Sequence, residues 1–332
     1  MTLLRLIAFA VLASAVLGSP RTAAAQPFPD HPVRIVVPQP PGTAPDTVAR
    51  ILAEQLAEYW HQSVVVETKP GAGGTIAAEL VAKAPADGYT LLVVNPSNMA
   101  IAAAVDQNLR YDPVADFTPL GRLIHVPFFV VTATMPVKSM PELIAHARAH
   151  PGQVTYLSFG EATVSHMAFA SLNAAAGIDV VEVGYKSTAQ ALPDLVAGRV
   201  DLCLCDITPL RQYVDAGTLR LLGAIGEKRV AAAPEVPTVA EQGVSGFALG
   251  MWYGIVAPAG IPPAVRANLV AALAHARQTP AMKQRIESLN YEPIYDDPAQ
   301  FAAAVRSETE KYSGIVKQAR IAANRKSRDA NR

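Results

Sequence analysis

The stretch that decides the fold is Val33-Arg34-Ile35-Val36-Val37-Pro38-Gln39-Pro40-Pro41-Gly42-Thr43-Ala44-Pro45-Asp46, followed by residues 47–60. A short run of β-branched residues meets a turn dense in proline and carrying one glycine. Beyond the turn, Val48, Ile51, Leu52, Leu56 and Tyr59 recur at helical spacing, with Arg50, Glu54 and Glu58 elsewhere, so one face is apolar. The unit is strand, turn, amphipathic helix. It recurs along the chain: a strand at 64–67 before Gly71-Ala72-Gly73-Gly74 and a helix through 84, then 89–95 before a short helix near Ala100. Further copies are 154–158 with 166–176, 180–183 with 189–197, and 200–205 with 209–216, and a strand follows at 219–225. Such alternation specifies parallel sheets with crossover helices, and the near-continuous apolar strands fit sheets covered on both faces.

A second series begins at Phe128, which places a crossover near His125. The strand at 252–257 is expected to return to the first unit, before C-terminal helices at 263–277 and 298–319 and a polar, frayed end at 324–332. The expected fold is α/β and two-lobed, with two parallel-core sheets joined by two hinge strands. One lobe takes 26–124 plus 253–332, and the other 125–252. The length of 332 residues agrees, being too great for one core of ordinary size.

Residues 1–25 read as a secretory signal peptide. Arg5 gives a basic start, 6–17 is an apolar run too short to span a bilayer, and Ala23-Ala24-Ala25 offers a cleavage site. The product is expected in the periplasm. Composition is 51% apolar and 17% charged, which excludes bulk disorder. Lys plus Arg and Asp plus Glu both number 28, and this balance argues against nucleic acid as a partner. Cys203 and Cys205 fall on one face of a strand, at the edge of disulfide reach, and read as two buried thiols. Cofactors and metals are not expected, since His146 and His150 lack an acidic third ligand.

The chemistry lies just after the strand ends. Asp46, Ser97, Thr163 or Ser165, Ser187 and Thr208 are placed to cap the helices that follow. In an open α/β sheet these turns gather at one rim, where converging helix N-termini can hold a carboxylate without a cation. The hydroxyls of Ser97, Ser158, Thr163 and Ser165 add donors. Gly71-Ala72-Gly73-Gly74-Thr75-Ile76 fails the dinucleotide pattern, and Gly243-Val244-Ser245-Gly246 is not a nucleophile elbow. Ser165-His166 admits a secreted serine hydrolase, but adjacency in sequence seldom gives serine-to-imidazole geometry, and no acid partner or elbow accompanies it.

Several motifs, in order, resemble the Bug receptors, the TctC-like extracytoplasmic solute receptors of tripartite tricarboxylate transporters. They are Pro40-Pro41-Gly42 with Asp46-Thr47-Val48-Ala49-Arg50, Lys69-Pro70-Gly71-Ala72-Gly73-Gly74, Ala84-Pro85-Ala86-Asp87-Gly88-Tyr89, Tyr111-Asp112-Pro113, Ser165-His166, Tyr185-Lys186, Val236-Pro237-Thr238, and Trp252 with Ala257-Pro258-Ala259-Gly260. The resemblance implies a two-lobed, Venus-flytrap binding protein, type II-like, with no enzymatic activity. It would capture a small organic acid or amino acid and pass it to integral membrane permease subunits; a monomer is expected. Signalling to a membrane kinase is the alternative use. Carried over by motif, the ligand residues are Pro41, Gly42, Thr43, Asp46, Ser97, Asn98, Ser158, Glu161, Thr163, Ser165, Tyr185 and Asp206. Family members commonly hold the carboxylate through backbone amides, hydroxyls and ordered water. Three departures stand out. The first loop reads Gly42-Thr43-Ala44-Pro45-Asp46 where the family usually has Gly-Gly-x-Thr-Asp, Gln39 replaces a commonly aromatic residue, and Glu161 a small or amide-bearing one. Glu161 either faces solvent or selects a ligand with a cationic group.

Overall fold

A computed structural model describes residues 28–330, with side chains through 319. The signal-peptide reading of 1–25 lies outside the described residues. The first sheet takes β1 (Val33–Val37), β2 (Val64–Thr68), β3 (Thr90–Val94), β4 (Phe117–His125), β10 (Trp252–Pro258) and β11 (Glu292–Pro293), in the order β11-β4-β10-β3-β1-β2. The second takes β5 (Phe128–Thr132), β6 (Thr155–Ser158), β7 (Val181–Gly184), β8 (Leu202–Asp206) and β9 (Arg220–Ala224), in the order β7-β6-β8-β5-β9.

Each sheet has the expected parallel core, β2-β1-β3 in one and β7-β6-β8 in the other. In each sheet a strand runs antiparallel to that core, so both sheets are mixed: β10 lies against β3 and β4, and β5 against β8 and β9. The reason is topological, since the chain leaves the first sheet on β4 and comes back on β10. The two crossings lie side by side, Val126 N–H donating to Met251 O at 2.7 Å and Trp252 pairing with His125.

Helices on the first sheet are α1 (Ala44–Trp60), α2 (Thr75–Ala82), α8 (Pro263–Gln278) and α9 (Pro280–Ser288), while the short α3 (Ala102–Val105) sets Ala104 and Val105 against the second lobe's cluster. The predicted face of α1 is buried at Val48, Ile51, Leu52 and Leu56, whereas Tyr59 is exposed. Fully burying side chains of this size contributes about 1.5–3 kcal/mol each. The second sheet carries α4 (Met140–Ala149), α5 (Val164–Ala176), α6 (Thr188–Val196) and α7 (Arg211–Asp215). The last helix, α10 (Pro298–Ala330), runs past the expected end at 319 and into the stretch read as frayed. It packs Phe301 and Val305 into a cluster with Trp252 and Val256, and Tyr312 into the second lobe's cluster with Tyr156 and Phe169. Gly254 permits this, because a Cβ there would lie 2.7 Å from Phe301.

The reading of Cys203 and Cys205 as free thiols is corrected: the structure pairs them as a disulfide, with Cα atoms 5.6 Å apart. Both residues are buried on one face of β8, and this separation lies within disulfide reach.

Candidate ligand-binding site

The C-terminal ends of the parallel strands carry the turns singled out in the sequence, and the turns gather into two clusters. In the first lobe, the loop after β1, the Gly71–Gly74 loop and the turn after β3 come together. A Cβ on Gly74 would lie 3.0 Å from Pro38 Cβ and 3.2 Å from Asn98 Nδ2. In the second lobe, the turn after β6 is joined by Tyr185, whose N–H donates to Ser158 O at 2.8 Å. The clusters touch across the seam: a Cβ on Gly73 would lie 3.4 Å from Ala162 O.

Most of the turn amides expected to face a ligand are engaged by their own turns. Gly42 N–H donates to Asp46 Oδ2 at 2.9 Å, and Arg50 binds the same carboxylate at 3.0 and 2.9 Å. Asp46 therefore braces its loop from inside α1. The cap of that helix is Thr43, not Asp46, and the Thr43 hydroxyl donates to Pro40 O at 2.7 Å. Pro41 and Gly42 are exposed, and Gly42 holds φ at +79°, where glycine is favoured.

After β3 the chain enters one π-helical turn, Ser97–Ile101, for which Ser97 is not the cap. Asn95 Oδ1 accepts from Ser97 N–H at 2.8 Å and Asn98 N–H at 3.3 Å, while Asn95 N–H donates to Asn98 Oδ1 at 2.9 Å. Tyr111 O–H donates to Asn98 O. Both asparagines are completely buried, and each Nδ2 has no hydrogen-bond partner. Gln39 Oε1 is buried and unpartnered as well. Asn95 was not among the residues expected from sequence. The available signal was Asn95-Pro96-Ser97-Asn98 itself, since asparagine readily turns its side chain onto nearby backbone.

The second-lobe turn closes on its own hydroxyls. Ser158 Oγ accepts from Gly160 N–H at 3.1 Å, Thr163 donates to Gly160 O at 2.6 Å, and Thr163 and Ser165 hydroxyls lie 3.0 Å apart. Thr163 is the cap of α5, accepting from His166 N–H at 3.4 Å. Ser187 caps α6 as expected. Glu161 is exposed beside the contact of Ala162 with Gly73. The Tyr185 hydroxyl donates to Asp194 at 2.9 Å. His166 Nδ1 lies 3.0 Å from Glu182 and 3.4 Å from the Tyr156 hydroxyl, so the Ser165 hydroxyl and the His166 ring face different partners.

Asp206 stands apart, at the hinge, where it pairs with Phe128 of β5. Tyr291 O–H donates to its Oδ2 at 2.7 Å and Thr208 N–H to its Oδ1 at 2.8 Å. Burial holds the Asp206 carboxyl above the usual aspartate range despite these donors. Thr208 is the first residue of its short helix rather than the cap, and its hydroxyl donates to Leu289 O, a second tie between the lobes. Among the described residues no group of three or more His, Cys, Asp and Glu is placed to hold a metal, and no helix is long and apolar enough to cross a membrane.

Two mixed sheets, joined by adjacent crossings and facing one another through their strand-end turns, define a two-lobed periplasmic binding protein. The chain belongs to the tripartite tricarboxylate transporter family receptors (TctC), whose model matches residues 48–321. It is 35% identical over 309 residues, 92% of each chain, to the UPF0065 protein in the tcbD-tcbE intergenic region of Pseudomonas sp. strain P51. It is 29% identical over 320 residues, 96% of this chain and 98% of the relative, to protein BugT of Bordetella pertussis. Among solved structures, R. palustris Rpa4515 with adipate has a TM-score of 0.81 at 31% identity, covering 88% of this chain and 98% of that one. MatC of Rhodopseudomonas palustris with bound malate has a TM-score of 0.79 at 31% identity, covering 87% of this chain and all of that one.

Proposed function

We propose that this receptor captures a small carboxylate-bearing molecule between its lobes, in the periplasm after removal of residues 1–25, and delivers it to a tripartite tricarboxylate-type membrane permease. It acts as a monomer and turns nothing over. The lobes are 26–124 with 253–332, and 125–252. Ligand contacts come from the facing turns: Pro41, Gly42, Thr43, Asp46, Ser97 and Asn98 on one side, Ser158, Glu161, Thr163, Ser165 and Tyr185 on the other, with Asp206 at the hinge.

The observation that carries this reading is the approach of Gly73 to Ala162, which brings both turn clusters to one seam. A solute bridging that seam makes contacts in the closed form that the open form lacks, and only such differential affinity can drive closure. The bound adipate and malate of the related structures supply the class of solute. Membership of a transporter receptor family supports delivery to a permease.

A thermal-shift screen of small mono- and dicarboxylates tests the proposal. At a hundred times its dissociation constant, a true ligand adds about 2.7 kcal/mol to stability. A clear rise in unfolding temperature with at least one carboxylate is expected. No shift with any of them would overturn the reading.

A further inference from the structure

We infer that the end of α10 is a cationic tether that holds this chain to a membrane surface rich in anionic phospholipid. The even overall balance of charge hides a strong asymmetry. Residues 317–332 carry six cations, Lys317, Arg320, Arg325, Lys326, Arg328 and Arg332, against the single acid Asp329. Residues 26–316 carry 20 cations against 27 acids. An acidic body with a basic end is the pattern of a chain that meets an anionic surface through that end. The body's cations are in large part spent on its own acids: Arg34, Arg50, Arg122, Arg199 and Arg229 each lie within 3.2 Å of a carboxylate. The terminal cluster has one acid of its own to answer six cations.

The cluster begins where the helix stops packing on the second lobe. Ile315 and Val316 are partly buried against that lobe's apolar cluster, and Lys317, the next residue, is exposed. The helical backbone continues to Ala330, beyond residue 321, where the match to the receptor family ends. The residues between the cations name the partner. Ala319, Ala322, Ala323, Asn324 and Ser327 are small or short, Ile321 is the only large apolar residue, and no aromatic is present. Such a segment lacks the aromatic anchors typical of a protein interface and the apolar face that buries a helix among acyl chains. It offers charge alone, which suits the diffuse negative field of phospholipid headgroups. Each cation near such a surface strengthens binding about fivefold, and salt weakens it. The tether is therefore reversible, concentrating the chain beside a membrane without fixing it there. The inference does not depend on which solute the lobes hold.

Cosedimentation with lipid vesicles tests the tether. The apolar run at 6–17 would itself seek lipid, so the mature chain is used. Wild type is expected to bind vesicles of phosphatidylglycerol mixed with phosphatidylcholine, to ignore vesicles of phosphatidylcholine alone, and to be released as salt is raised. A variant combining Arg325→Gln, Lys326→Gln and Arg328→Gln is expected to bind the anionic vesicles about tenfold to a hundredfold more weakly. Its unfolding temperature is expected to match wild type, because the three positions lie beyond Ile315 and Val316. Arg325→Lys with Arg328→Lys keeps the charge and is expected to bind within about twofold of wild type. Failure of wild type to bind anionic vesicles, equal binding to neutral ones, or undiminished binding by the glutamine variant overturns the inference. Binding to soluble polyglutamate without binding to vesicles overturns it in favour of an acidic protein partner. None of these results bears on solute capture, which thermal shift with carboxylates reads separately.

Discussion

The turn after β3 and the turn after β6 occupy matching places in the two lobes, yet they spend their polar groups differently. In the second-lobe turn, Ser158, Thr163 and Ser165 satisfy one another and the backbone between them. In the first-lobe turn, the asparagine carbonyls satisfy the backbone and leave two buried NH2 groups over. Hydroxyls both donate and accept, so they close small rings; a carboxamide has two ends and closes with only one. The two turns therefore differ in what they leave unanswered: hydroxyls closed on themselves in the second lobe, and two amide groups in the first.

The largest expected effect tests this difference directly. Asn98→Asp lowers carboxylate affinity by about a hundredfold, whereas Ser165→Ala, whose hydroxyl is already engaged by Thr163, lowers it less than about threefold. Titration calorimetry on both variants decides the matter, and equal losses would erase the distinction. Next comes the cover. Gly74→Ala forces a Cβ toward Pro38 and Asn98 at positive φ and costs about 1–3 kcal/mol, read by urea unfolding. Gly73→Ala, with more room before Ala162, costs less. Thr163→Ala removes the cap of α5 and costs about 1 kcal/mol in the same assay.

The smallest effect concerns the hinge. Burial raises the Asp206 pKa, so the neutral acid favours the folded state. That contribution is complete below the unfolded aspartate value of about 3.9 and is lost as pH rises through the higher folded-state value. The unfolding temperature of wild type relative to Asp206→Asn should therefore fall as pH rises from about 4. A difference independent of pH would show that Asp206 is not held in this way.

Much of the fold is legible because stretches such as 35–37 and 91–94 are buried on both faces and need apolar residues throughout. β4 is not legible in the same way. Pro119 and Gly121 interrupt it, and it survives because the pairing with β10 shifts register beside Pro119. The span of α10 across both lobes is equally hidden, since Tyr312 is an ordinary helix position until the second lobe packs on it. At the site, sequence places the turns correctly but not their hydrogen bonds. Asp46 looks like a cap and serves as a brace for Arg50 and Gly42, and Tyr185 looks like a ligand contact yet turns its hydroxyl to Asp194. Local propensity marks where a turn lies; which donor remains unanswered is settled only when the turn closes on itself.

A crystal structure of the receptor grown with adipate or malate tests the central claim most directly. The account predicts a carboxylate seated between the Gly73 loop and the Ala162 turn, in contact with residues of both lobes' strand-end turns. A solute bound away from that seam, or held by one lobe alone, would contradict it.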